Sequence, residues 1–120
     1  MGKNFEQLDV WKKSCRLAVD TYRMFDKVKD YGLVNQITRA AVSVPSNIAE
    51  GSERQTKKEF IQFLYISKGS IAEFRTQAYI AGKLKLISVE DAKKLTAEAI
   101  LISRMLQKLI TSIKDSISIV

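Results

Sequence analysis

The 120-residue chain contains no histidine, one cysteine, one proline and five glycines. Without histidine, the commonest proton shuttle of enzymes is missing. The single cysteine, Cys15, excludes an internal disulfide bond, and the sequence offers no metal-ligand spacing or glycine-rich phosphate loop. No apolar run approaches the roughly 20 residues of a membrane span, and charges throughout the start of the chain are unlike a signal peptide. We therefore expect a cytoplasmic, non-enzymatic protein without catalytic residues, cofactor, metal, small-molecule substrate or membrane contact.

Because proline and glycine interrupt secondary structure, their scarcity predicts long elements. Apolar residues recur at helical spacing rather than alternating as in strands, so these elements are predicted to be helices. We predict a first helix from Phe5 to Lys27, a second from Leu33 to about Gly51, a third that opens at Thr56 and a fourth that opens at Ser88. Glycine at position 32 is expected to provide freedom in the backbone angle φ for the turn after the first helix. Apolar and small residues at spacings of 3 and 4 predict three seams: Leu8, Trp11, Cys15, Ala18, Tyr22 and Phe25; Phe60, Leu64, Ser67, Ile71, Phe74, Ala78 and Ala81; and Ala92, Leu95, Ala99, Ile102, Leu106, Leu109 and Ile113.

Short turns between four amphipathic helices predict an all-α fold, an antiparallel up-down four-helix bundle that forms one domain over residues 1–120. Thr56 with Glu59, and Ser88 with Asp91, have the spacing of helix-capping pairs. The Cys15 thiol falls on the first seam, where a buried thiol is normally inert.

The segment RAAVSVPSNIAEGSERQ, residues 39–55, places Pro45 inside the second helix. On a helical wheel the apolar face keeps its phase from Ile37 through Val44 to Ile48, so the proline is predicted to kink a continuous helix rather than end it. Ser43, Ser46 and Asn47 are candidates to satisfy the backbone groups that proline disturbs.

A polar stripe lies beside this apolar face. It favours either a polar seam between helices or a binding edge, and the sequence leaves both open. Within it, Arg39 is expected to pair with Glu50. Its members are Gln36, Arg39, Ser43, Asn47, Glu50 and Arg54.

Three stretches, FEQLDVW, YGLVNQITRAAVSVPSNIAEG and FLYISKGSIAEFRTQ, resemble the four-helix bundle family named for the 23S rRNA intervening sequence. That family also includes the accessory protein of diversity-generating retroelements. The most specific match runs from Gln36 to Gly51 and gives a structural motif of Gln36, Ser43, Pro45, Asn47, Glu50 and Gly51. At Lys85 and Leu86 the chain departs from the family, in which a glycine–aromatic pair is common.

The resemblance implies a ring-forming bundle, most simply a homopentamer, without catalysis and with affinity for nucleic acid. A net charge of +7 also favours a polyanionic partner. Aromatic residues and cations share one side of the third helix, where they either stack bases and bind phosphates or cover the edge of the bundle. The candidate nucleic-acid-binding residues are Tyr65, Lys68, Arg75, Tyr79 and Lys83, together with Arg39 and Arg54.

Self-association is indicated by small and apolar residues outside the predicted seams. Glycine at position 69 is costly inside a helix, and it favours close approach of another backbone. The candidate interface residues are Gly69, Thr76, Ile100, Leu101 and Met105. We thus expect a basic homo-oligomer that binds structured RNA or an RNA–protein complex; the alternative is a protein–protein assembly scaffold that does not bind nucleic acid directly.

Overall fold

The computed structural model describes residues 4–118, which fold into four α-helices preceded by a single 3₁₀ turn, Phe5–Gln7. The α-helices are α1 (Asp9–Met24), α2 (Tyr31–Ser52), α3 (Lys57–Lys83) and α4 (Val89–Ser118). Each helix packs against the next, and α1 also packs against α4, which closes the bundle. The predicted antiparallel four-helix bundle is therefore confirmed, with dimensions of 51 × 20 × 19 Å.

Side chains cap three of the α-helices, two of them at the residues that the sequence predicts. The Thr56 hydroxyl accepts a hydrogen bond from the Glu59 amide at 3.1 Å, and Ser88 accepts one from the Asp91 amide at 3.0 Å. Asp30 caps α2 by accepting from the Leu33 amide, so this helix begins before the predicted Leu33. Because Gly32 lies inside that helix and no glycine among the described residues has a positive φ, the predicted turn role of Gly32 is wrong.

The first helix differs most from the prediction. It begins at Asp9, after the 3₁₀ turn, and its core face is Val10, Ser14, Leu17 and Thr21, which the predicted seam joins only at Ala18. The Ser14 and Thr21 hydroxyls each donate a 2.7 Å hydrogen bond to the carbonyl four residues earlier, which satisfies them inside the core. Of the predicted seam, Ala18 and Phe25 are buried, Leu8 and Trp11 are half-buried against the core, and Tyr22 is 57% exposed.

The third and fourth helices keep their predicted seams in the core. Leu64, Ser67, Ile71, Phe74 and Ala78 of α3 are buried, with Ala81 at the same face. From α4, the fully buried residues include Leu95, Ile102 and Leu106. Ile110, outside the predicted seam, is fully buried as well.

The second helix continues through Pro45, as the phase of its apolar face predicts. Ser67 of α3 donates a 2.8 Å hydrogen bond to the carbonyl of Val44, and Asn47 donates one of 2.8 Å to the carbonyl of Ser43. Ser46, the third candidate for this role, is exposed. These side-chain bonds reach the two carbonyls that precede the proline. The carbonyl that proline deprives of its usual amide partner is that of Ala41, four residues earlier.

Candidate nucleic-acid interface

A groove runs along the surface between α3 and α4. It consists of two adjoining depressions of about 420 and 450 Å³, which share Tyr79, Thr96 and Ile100. Every charged residue that lines these depressions is a cation: Arg75 and Lys83 from α3, and Lys93 from α4. We call this surface the α3–α4 groove.

The spacing of the α3 residues places them in the groove, and a glycine allows α3 and α4 to approach closely. Arg75, Tyr79 and Lys83 are spaced by four, so they share one side of α3. Near the C-terminus of α3, a β-carbon added to Gly82 would lie 2.7 Å from the β-carbon of Ala92 on α4, so a side chain there would force the helices apart.

The α3 helix ends where the groove ends. Lys85 adopts a positive φ of 59°, and the Lys85 and Leu86 amides donate hydrogen bonds to the carbonyls of Gly82 and Ala81, respectively. This pair of bonds is a Schellman motif, in which glycine is the usual residue at the left-handed position. The departure of Lys85 from the family therefore leaves the turn intact and adds a cation beside the groove.

The basic side of α3 continues towards the other end of the bundle. The Lys68 ammonium donates a 2.7 Å hydrogen bond to Oε1 of Gln107, and the Lys114 ammonium donates one of 2.9 Å to the Tyr65 hydroxyl oxygen. Together with Arg75 and Lys83, these lysines form a row of cations that follows the α3–α4 boundary.

The ring of each of the two candidate tyrosines on α3 lies near a lysine ammonium group. Lys114 lies 5.1 Å from the Tyr65 ring centroid, and Lys83 lies 5.5 Å from that of Tyr79. The rings are 43% and 61% exposed, respectively, so both retain open surface. The hydrogen bond from Lys114 lowers the pKa of the Tyr65 phenol below its ordinary value.

The other two candidate cations lie apart from this row. The Arg54 guanidinium donates to Glu59 at 3.3 Å and lies 5.3 Å from the Phe63 ring centroid. Arg39 is exposed on α2, where it lines a depression between α1 and α2. Its expected pairing with Glu50 is wrong within the chain, because the two residues lie on one continuous helix, about 16 Å apart along the axis.

The polar stripe of α2 is in part a seam between helices. The Ser43 hydroxyl lies 2.8 Å from that of Ser70 on α3, and Asn47 donates to the Ser43 hydroxyl at 3.0 Å. Gln36 and Glu50, by contrast, are exposed.

The end of α2 fits tightly against α3. A β-carbon on Gly51 would lie 2.5 Å from the β-carbon of Phe63. The last glycine of the predicted structural motif therefore marks a close approach between helices, as Pro45 marks the position where Ser67 reaches the backbone.

The five candidate interface residues lie on two helices, Gly69 and Thr76 on α3 and Ile100, Leu101 and Met105 on α4. Gly69 is exposed, and a β-carbon there would meet no other atom within 4 Å. Thr76 and Ile100 line the α3–α4 groove, and Leu101 is 45% exposed. Met105 is half-buried and packs against the core of its own bundle.

Two cations of this surface, Lys93 in the groove and Lys114 in the row that continues beyond it, are absent from the sequence prediction. Lys93, Ile100, Gln107 and Lys114 are spaced by seven along α4, so they share one helix side. The spacing by seven could have indicated that these four residues share a side of α4. Because they are charged, polar and apolar in turn, a search for apolar periodicity does not find them.

Further chemistry along the chain is limited. Burial raises the pKa of the half-buried Cys15 thiol, which lowers its thiolate fraction. Within residues 4–118, no group of three or more His, Cys, Asp or Glu residues is arranged to hold a metal ion. No helix in the described part of the chain has the length and apolar character needed to cross a membrane.

Comparison with known proteins identifies both a family and a fold. The family model described as 23S rRNA-intervening sequence protein matches residues 6–108. A crystal structure of a protein with unknown function, from the S23 ribosomal protein family of Bacteroides thetaiotaomicron VPI-5482, superposes with a TM-score of 0.80. The two chains are 23% identical, and the match covers 84% of this chain and 97% of that one, so it supports the fold. No curated protein matches the sequence.

Proposed function

Because the chain belongs to the 23S rRNA-intervening sequence protein family, we propose that it is a non-enzymatic, homo-oligomeric bundle that binds structured RNA along its α3–α4 groove. The RNA is bound alone or as part of an RNA–protein complex. The observation that carries this proposal is the charge of the groove, in which every charged lining residue is a cation.

The row of cations has a length that suits a nucleic-acid backbone. Lys68 and Lys83 lie at its ends on α3, about 22 Å apart along the helix axis. Arg75 lies between them, and it is exposed. Phosphates bound by such a row contribute affinity without sequence information, because they are the same in every nucleotide.

The exposed tyrosines favour RNA that contains unpaired bases. Tyr65 and Tyr79 present aromatic rings on the same side of α3 as the cations. Base–aromatic stacking tolerates any sequence, since every base has a π face. Loops and bulges of structured RNA supply unstacked bases next to phosphates.

The proposal includes no catalytic step. The groove offers cations, tyrosines and apolar side chains, which are binding groups rather than a matched acid and base. Assembly into a ring, with five subunits expected from the resemblance, would repeat the groove around an axis. Repetition converts weak individual contacts into avidity.

The test is binding to unrelated structured RNAs and to duplex DNA over a range of salt concentrations. Arg75→Ala should weaken binding to all of these RNAs by similar factors, because the guanidinium that neutralises a phosphate is removed. It should also reduce the slope of log affinity against log salt by about 1 for each phosphate that the variant leaves unneutralised.

A matched control is Arg16→Ala, which removes the same charge from an exposed position on α1. This variant should keep the salt slope of the unchanged protein, because Arg16 is remote from the groove. Equal losses of affinity in both variants would show that only net charge matters. Salt-independent binding, or none at low salt, would favour the protein-scaffold alternative.

A further inference from the structure

The groove between α1 and α2 is a surface that the bundle leaves open, apolar at the end near Trp11 and more polar at the end near Arg39. Two adjoining depressions of about 400 and 430 Å³ share Val42 and run along these helices. The apolar lining includes Trp11, Val19 and Val42, and the only charged residue that lines either depression is Arg39. We call this surface the α1–α2 groove.

The sequence pattern of α1 indicates that this groove has a partner. Trp11, Cys15, Ala18 and Tyr22 have the spacing of a bundle seam, yet only Ala18 among them is buried in the core of the chain, and all four line the groove. Val19 is 48% exposed, Tyr22 57% and Val42 41%. An apolar stripe with helical spacing that remains at the surface is typical of a site that receives another helix.

A second unpartnered stripe lies on the outer face of α3. It consists of Ile66, Gly69, Glu73, Thr76 and Ile80, at spacings of 3, 4, 3 and 4. Ile66 is 50% exposed and Ile80 41%, while the space around Gly69 is open. This α3 stripe has the pattern of a helix that packs in a groove, with a glycine where a partner can approach closely.

We propose that the α3 stripe of one copy packs into the α1–α2 groove of a second copy of this chain. The proposal rests on the self-association in the proposed function and assigns its two surfaces. Both surfaces span about 14 residues of helix, the stripe from Ile66 to Ile80 and the α2 wall from Asn35 to Ala49, or about 21 Å each.

Charge complementarity between the α3 stripe and the α1–α2 groove supports a second copy of the chain as the partner. The stripe contains one charged residue, Glu73, and the groove contains one, Arg39. Among residues 4–118, the ion pairs between side chains are Lys13–Glu98 and Arg54–Glu59, and neither Arg39 nor Glu73 has an ionic partner in that part of the chain. Opposite charges in otherwise uncharged surfaces fix the register of an interface and disfavour other partners.

The interface is head-to-tail, because its two surfaces lie on different helices of the same chain. Such contacts repeat from copy to copy and produce a closed ring when the rotation between copies permits it. The stripe and the α3–α4 groove share Thr76, while Arg75, Tyr79 and Lys83 lie on the groove side of α3. Assembly and RNA binding are therefore expected to use neighbouring but different surfaces.

Charge reversal tests the interface, with assembly measured by light scattering and sedimentation. Arg39→Glu and Glu73→Arg should each raise the apparent dissociation constant by about tenfold or more, since each places like charges together. The double variant should restore assembly. All three should keep the circular dichroism and melting profile of a folded bundle, because both residues are exposed.

Mixing two blocked variants tests the head-to-tail arrangement. Val42→Glu blocks the groove and Ile80→Glu blocks the stripe, both at exposed positions. Each variant alone should be monomeric, and an equimolar mixture should form a heterodimer that does not grow, because one intact groove meets one intact stripe. Alkylation of Cys15, which lines the groove, should be faster in Ile80→Glu than in the unchanged assembly.

Three outcomes would overturn the inference: a monomeric unchanged protein at micromolar concentration, failure of the double variant to regain assembly, or a mixture that stays monomeric. RNA binding is measured on the same samples. A monomeric Val42→Glu protein that keeps its salt-dependent RNA binding would support separate surfaces. Normal assembly without RNA binding would contradict the RNA proposal alone.

Discussion

The Ser67 hydroxyl on α3 donates a 2.8 Å hydrogen bond to the carbonyl of Val44, the residue immediately before Pro45 on α2. Both residues are fully buried. The bond therefore joins α2 and α3 directly beside the proline.

Removing this hydroxyl should destabilise the bundle without changing its fold. Ser67→Ala is expected to lower the free energy of unfolding by about 1 kcal/mol, because a buried carbonyl loses a hydrogen bond. Ser46→Ala, at an exposed serine beside Pro45, should change it by less than about 0.5 kcal/mol. Urea unfolding of both variants measures the difference, and equal effects would show that the buried bond is not important.

Replacement of Pro45 should leave the helix continuous. In Pro45→Ala we expect unchanged helical circular dichroism, because α2 already continues through this position and alanine is the best helix former. Ala49→Pro, one turn later, should instead cost about 3 kcal/mol. A loss of helicity in Pro45→Ala would mean that the proline itself determines the architecture.

Glycine positions 51 and 69 should respond to alanine in opposite directions. Gly51→Ala places a β-carbon 2.5 Å from that of Phe63 and should cost about 1–3 kcal/mol of stability. Gly69→Ala meets no atom within 4 Å and should gain up to about 1 kcal/mol through helix propensity. Chemical unfolding in the Val42→Glu background isolates these effects from assembly, and a loss of stability at position 69 there would contradict the open space around it.

Lysine at position 85 should be replaceable by glycine with a gain in stability. Its φ of 59° lies in the left-handed region, which L-residues occupy at a cost of about 1–2 kcal/mol. Lys85→Gly should therefore raise the free energy of unfolding by about 1 kcal/mol once the greater freedom of unfolded glycine is included. Lys94→Gly, at an exposed position inside α4, should lower it by about 1 kcal/mol.

The Tyr65 phenol should titrate at lower pH than an ordinary tyrosine, because Lys114 donates a hydrogen bond that favours the phenolate and so lowers the phenol pKa. Lys114→Met should move this pKa upwards, measured by the ultraviolet absorbance of phenolate. Lys108→Met, on the same helix, should leave it unchanged. Near neutral pH tyrosine is protonated in both the folded and unfolded states, so the variants should show the same pH dependence of stability there.

The sequence predicted the architecture because three of the four helices carry unambiguous signals. Caps at Thr56 and Ser88 begin their helices as expected, and the α3 seam is buried along its predicted line. The predicted seam of α1 lacks Ser14 and Thr21 because they are polar by type, and their internal hydrogen bonds become evident only in the folded helix.

The candidate site was predictable along one helix and not between helices. Arg75, Tyr79 and Lys83 share a side of α3 that the spacing of the sequence defines. Lys93 and Lys114 lie beside them only because α4 packs against α3, and the residue spacing within α3 does not predict that packing. The same limit applies to Arg39 and Arg54, which the helical wheel places on one side although α2 ends at Ser52, before Arg54.

The connectivity of the bundle has a kinetic consequence. Helix pairs α1–α2, α2–α3 and α3–α4 join neighbours along the chain, and only α1–α4 links distant segments. Chains dominated by such local contacts have low contact order and fold in microseconds to milliseconds. The 16 residues of α1 make it the shortest helix, and its pairing with α4 closes the longest loop. Amides of α1 are thus expected to exchange with solvent before those of α3, by detachment of α1 from the remaining three folded helices.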